Sequence, residues 1–125
     1  MFDQMKAMGA LAGLLRDREK IERLSRRVQD TLETVRVVGE AGGGAVRVTV
    51  SGKLEVQDEE VDPNLASGMA SGDDARLMAQ GLIREAVNDA NAKARVVIQR
   101  EMRKLAEELD LPDMPGMTNL LGIPN

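Results

Sequence analysis

The sequence predicts an α+β protein: a long N-terminal helix, a three-stranded antiparallel β-meander and a long C-terminal helix. Three features of the 125-residue chain carry this expectation. Apolar residues recur at helical spacing before Val35, alternate with polar residues from Val35 to Gln57, and return to helical spacing from Ile83 onward.

In the first segment Leu14, Ile21, Val28 and Val35 lie seven apart, Leu24 and Leu32 fill the intermediate turns, and no proline interrupts the run from Gln4. One long helix, about 4–35, is expected. Val35 and Val37, then Val46, Val48 and Val50, then Leu54 and Val56 alternate with polar neighbours and predict three short strands. Gly42-Gly43-Gly44 and Ser51-Gly52-Lys53 separate them and would supply the positive φ of tight turns, so neighbours should be antiparallel. Asp62-Pro63 should end the third strand, because proline cannot donate to a ladder, and Ser67 to Gly72 reads as a flexible linker.

Ser71 with Asp74 three residues on resembles a capping arrangement for the second helix. Its apolar series Ile83, Val87, Ala90, Ala94, Ile98, Met102, Leu105, Leu109 keeps steps of three and four until Leu111-Pro112. At 1.5 Å per residue such a helix is roughly 55 Å long, more than a compact monomer of this size can cover. Self-association is the economical cover for the excess apolar stripe. Residues 1–111 therefore form one domain, and 112–125, with prolines, glycines and aperiodic apolar residues, read as a disordered tail.

Composition narrows the chemistry. There are 17 Lys plus Arg against 21 Asp plus Glu, a net charge of −4, a single Phe, and no Cys, His, Trp or Tyr. Cys/His zinc sites, imidazole acid–base catalysis, thiol nucleophiles and disulfides are excluded. A non-enzymatic protein with no cofactor and no small-molecule substrate is expected. The apolar run from Ala7 to Leu15 contains two glycines and falls far short of the ~20 residues of a membrane span. With no cationic stretch leading into a long apolar core, the reading is a soluble, cytoplasmic protein with no membrane association.

Individual motifs mostly have structural readings. The glycine cluster lacks the third glycine of a dinucleotide fingerprint, and Gly52-Lys53 is followed by Leu54 instead of Ser or Thr, so both are turns. Asp58, Glu59, Glu60 and Asp62 could attract a hard cation, but without a calcium-loop pattern they read as a solvated strand end that blunts a sheet edge. Ser25, Ser51, Ser67 and Ser71 have no imidazole to act as base, and Glu85 and Asp89, one turn apart, suggest no pocket.

Charge is uneven: residues 1–36 hold eight basic and six acidic side chains, 37–75 two and eight, and 76–125 seven of each. Arg16, Lys20, Arg23 and Arg27, spaced four, three and four, form one stripe on the first helix, with Glu19, Glu22 and Glu33 on another flank. Such a ridge suits a phosphate backbone. It also suits a solvated face in which Glu19–Arg23 and Glu22–Arg26 pair along the helix. With Phe2 the lone aromatic there is little to stack on bases, which favours duplex DNA over single strands.

Three motifs then occur in order: Val38-Gly39-Glu40-Ala41-Gly42-Gly43-Gly44-Ala45-Val46-Arg47-Val48-Thr49-Val50-Ser51-Gly52, Val61-Asp62-Pro63-Asn64-Leu65, and Ala86-Val87-Asn88-Asp89-Ala90. Together they resemble the YbaB/EbfC family of bacterial nucleoid-associated proteins. The resemblance implies a tweezer-like homodimer whose sheets join through their central strands, whose helices grip DNA, and which acts at the nucleoid on DNA organisation and gene expression. Asn88 and Asp89 match the family signature and should bond to backbone or to a partner subunit. Carboxylates at Asp58, Glu59 and Glu60 and the glycine-bearing 67–72 stretch depart from the family pattern. DNA contacts are accordingly expected at Arg16, Lys20, Arg23 and Arg27, and secondarily at Arg36, Arg47 and Lys53, all toward phosphates. The alternative is a non-enzymatic interaction module that assists a recombination or repair protein.

Overall fold

The computed structural model describes residues 2–16 and 18–110. The elements are α1 (Phe2–Arg16), α2 (Arg18–Thr34), β1 (Arg36–Ala41), β2 (Val46–Ser51), β3 (Val56–Val61), α3 (Pro63–Met69) and α4 (Asp73–Glu108). The expected single helix over 4–35 corresponds to the two stretches α1 and α2, and residue 17 lies outside the described residues, as does the expected tail at 112–125. The sheet is antiparallel in the order β1-β2-β3, the predicted meander.

The β1–β2 turn has positive φ at Gly42, Gly43 and Gly44, as the sequence demanded. The β2–β3 turn works differently. Gly52 does not supply its left-handed residue; Leu54 does, at φ 60°. Gly52 is needed for space, since a Cβ there would stand 2.6 Å from the Leu32 carbonyl oxygen. Its N–H donates to that same oxygen at 3.1 Å, which bolts the turn to the C-terminal end of α2. The Ser51 hydroxyl accepts from the Lys53 N–H at 3.2 Å and orders the turn from within.

This longer turn displaces the third strand. The alternation of Leu54 and Val56 placed its start at 54, whereas β3 runs 56–61; it ends before Asp62-Pro63, as expected, and carries Asp58, Glu59 and Glu60 within it. Carboxylates are tolerated there because β3 is an edge strand exposed on both faces, and they blunt that edge as expected. The 67–72 stretch is likewise no simple linker. Pro63 begins α3, Asp62 accepts from the Asn64 N–H at 2.8 Å as its cap, and the helix continues to Met69. The Ser71 cap does not form: Gly72 holds the N-cap position, and the Ser71 hydroxyl donates to the Gly68 carbonyl at 2.6 Å. Helix α4 has the expected 36 residues.

Two cores share α4. Its Ala86, Ala90 and Ala94, at steps of four, lie against the sheet, where Val46, Val48 and Val50 of β2 are buried. Its second half turns Ile98 and Leu105, with Met102, toward Leu24, Val28 and Leu32 of α2, so the two helices run antiparallel. Leu54 packs against both clusters. With almost no aromatic material, the core is built of valine on small alanine, which requires close approach. At Gly39 of β1 a Cβ would collide with the Ala90 backbone nitrogen and stand 2.5 Å from the Ala86 carbonyl oxygen.

Asp89 of α4 reaches over β1 and accepts the Glu40 N–H at 3.0 Å, while Lys93 pairs with it at 2.9 Å. That contact occupies part of the outer edge of β1 and realises, for Asp89, the expected bond to backbone. The hydrogen bond from Lys93, then that from the Glu40 N–H, holds the Asp89 carboxyl below its usual range.

Gly39→Ala should lower stability by about 1–3 kcal/mol, because backbone on both sides cannot yield. Gly68→Ala, on α3 with open space around it, should be neutral or stabilising in the same urea or thermal melts. A carboxyl whose folded pKa is depressed contributes stability above its unfolded pKa and loses it as pH falls through the folded value. The difference in melting temperature between wild type and Asp89→Asn should therefore be largest near neutral pH and shrink below about pH 4. Melts across pH 3–7 would read it.

Candidate nucleic-acid interface

Helix α2 packs Leu24, Val28 and Leu32 inward and leaves its other faces to water. Lys20, Arg23 and Arg27 are exposed along one flank about a third of a turn from that apolar stripe, and Arg16 is exposed near the end of α1. The pairs that favoured a merely solvated face do not form. Arg23 donates Nε to the Glu19 backbone carbonyl at 3.4 Å instead of to its carboxylate, and Glu22 and Arg26 make no ion pair among the described residues. Arg27 bonds to Glu108, at the end of α4.

The second-choice cations are placed less favourably. The Arg36 guanidinium donates to the carbonyl oxygens of Glu33 and Val35, at 2.5 and 2.9 Å, and so closes the C-terminal end of α2. Lys53 pairs with Glu33 at 3.1 Å, so Arg36 and Lys53 converge at the base of α2. Arg47 lies on the outer sheet face between Glu40, 3.1 Å away on β1, and Glu60, its register partner on β3. Residues 55–62 hold five carboxylates and no cation. A polyanion meets repulsion there, and Arg47 is the poorest of the nominated contacts.

A hollow of about 550 Å³ at that end is lined by Gly44, Arg47, Glu59, Glu60 and Asp62 with Val61 and Pro63. Its acidic wall does not suit phosphate. The alternative of a cation on the acidic stretch finds no support either: no group of three carboxylates among the described residues is arranged to hold a metal ion.

Sequence reasoning missed Arg100 and Arg103. Both are exposed on the half of α4 that lies beside α2, and neither is ion-paired among the described residues. The only available signal was the phase of Ile98, Met102 and Leu105, which fixes their face but not the helix they meet. Exposed cations thus stand among carboxylates along α2 and the second half of α4, whereas β3 carries carboxylates alone.

Comparison with known proteins agrees with this architecture. Residues 6–109 match the YbaB/EbfC DNA-binding family. A nucleoid-associated protein of Bordetella avium is 38% identical over 109 residues, covering 87% of this chain and 94% of that protein. One from Mesorhizobium japonicum is 36% identical over 110 residues, covering 88% and 96%. An uncharacterized protein of Helicobacter pylori, known from its crystal structure, shares the fold with a TM-score of 0.52 and 20% identity, over 79% of this chain and 91% of that one. No helix among the described residues is long and apolar enough to cross a membrane. Matched from Lys6 to Leu109, across both helical arms and the sheet between them, the chain belongs to the YbaB/EbfC DNA-binding family.

Proposed function

We propose that this protein binds duplex DNA as a homodimer, through phosphate contacts that tolerate any sequence, and thereby affects nucleoid organisation and gene expression. The observation that carries the reading is the exposed flank of Lys20, Arg23 and Arg27 on an arm held away from the acidic sheet, in a chain of this family. Arginine and lysine at such spacing meet phosphates and release condensed counterions, a contribution indifferent to base sequence. Relatives called nucleoid-associated support a place at the cytoplasmic nucleoid.

A second copy has surface to bury. Met78 and Val96 are 62% and 55% exposed and, 18 residues apart, lie on one line along α4, roughly five turns from each other. Val38 and Val56 are exposed on the outer strands. Since β2 is paired on both sides, sheets joining through the central strands would meet face to face.

Duplex binding measured across a salt series should weaken linearly on a double-logarithmic plot, with a slope of about 0.9 per phosphate engaged. Reversing Arg23 and Arg27 to Glu together should cost roughly tenfold or more at low salt. Wild-type affinity that is absent at low salt, together with retention of one stoichiometric recombination or repair protein, would instead identify an interaction module. For the assembly, Met78→Asp with Val96→Asp should halve the mass seen by sedimentation, from roughly twice 13.6 kDa to the single-chain value.

A further inference from the structure

We infer that Glu108, the last residue of α4, competes with DNA phosphate for Arg27, so that a duplex must displace an intramolecular carboxylate to use that cation. The inference rests on the DNA-binding reading and adds to it a residue that sets its strength.

The apolar seam creates the competition. Leu24, Val28 and Leu32 packed on Ile98, Met102 and Leu105 align the two helices in opposite directions, which carries the C-terminal end of α4 to Arg27. A helix C-terminus bears partial negative charge and favours a cation in its last turn, yet α4 has none there and ends on a carboxylate. Arg27 supplies a cation from α2, bonded to the Glu108 carboxylate at that end. The hydrogen bond from Arg27, reinforced by its charge, holds the Glu108 carboxyl below its usual range and keeps it ionised at neutral pH.

The pair is nevertheless open to exchange. Its side chains are 46% and 57% exposed, so a phosphate oxygen can reach the guanidinium from solvent. Exposed pairs of this kind are weak and screened by salt. A phosphodiester offers the same planar recognition by arginine as a carboxylate does. Glu107 is the natural comparison: it is adjacent, equally charged and exposed, and makes no ion pair among the described residues.

The test uses the full chain and a labelled duplex of mixed sequence, with anisotropy titrations across a salt series for wild type, Glu108→Gln, Glu107→Gln, Arg27→Gln and the Arg27→Gln/Glu108→Gln double variant. Glu108→Gln should bind about two- to fivefold tighter than wild type at low salt. Its salt slope should stay close to the wild-type value, because Arg27 meets a phosphate in both complexes and only the cost of displacing the carboxylate is removed. Glu107→Gln, with the same change in net charge, should gain much less, and Glu108→Gln should gain nothing further in the Arg27→Gln background. Equal gains from both glutamates, or a gain that survives loss of Arg27, would overturn the inference while leaving DNA binding intact. A wild-type chain that binds no duplex at low salt would overturn the functional reading and the inference with it. Circular dichroism of each variant confirms that the comparison is between folded proteins.

Discussion

The structure depends on how closely α4 can lie on β1. Gly39 has no side chain and Ala86 and Ala90 have almost none, so helix and strand backbones approach to a distance that any larger residue would forbid. With one aromatic residue in the chain, bulk could not have filled a wider gap. Once α4 is seated there, its length settles the rest. The half that covers the sheet is lined with alanine, and the half that overshoots it carries the larger Ile98, Met102 and Leu105 that α2 requires.

The arm so formed is anchored at a single point of the backbone. The Leu32 carbonyl receives the Gly52 N–H and, at 3.3 Å, the Val35 N–H, which joins the last turn of α2 to the sheet through a group that would otherwise be left unpaired. Leu54, in the left-handed conformation, fills the space between the two cores. Cationic side chains along the arm alternate with carboxylates, whereas the far strand carries carboxylates alone.

Much of the fold was legible in the sequence because it follows from local periodicity and local turn chemistry. The 36-residue length of α4, the meander and the three left-handed glycines of the first turn needed no tertiary knowledge. The start of β3 was not legible, since the alternation of Leu54 and Val56 also fits a turn in which Leu54 bends inward. Gly52 was assigned conformational freedom when its actual task is to leave room for Leu32. At the interface, the helical stripe of Lys20, Arg23 and Arg27 could be read from spacing alone. The carboxylates that hold Arg27, Arg47 and Lys53 could not, because Glu108, Glu40 and Glu33 come from other elements and meet them only after folding.

The two borders of the sheet are protected in different ways. Along β1 a helix side chain caps the main chain at Glu40, whereas along β3 the guard is a row of negative charge. Two such rows repel, so copies of the chain are discouraged from zipping strand to strand along β3. The β3 border relies on charge alone, so replacing its carboxylates with neutral side chains would make it the place where strand-to-strand association begins.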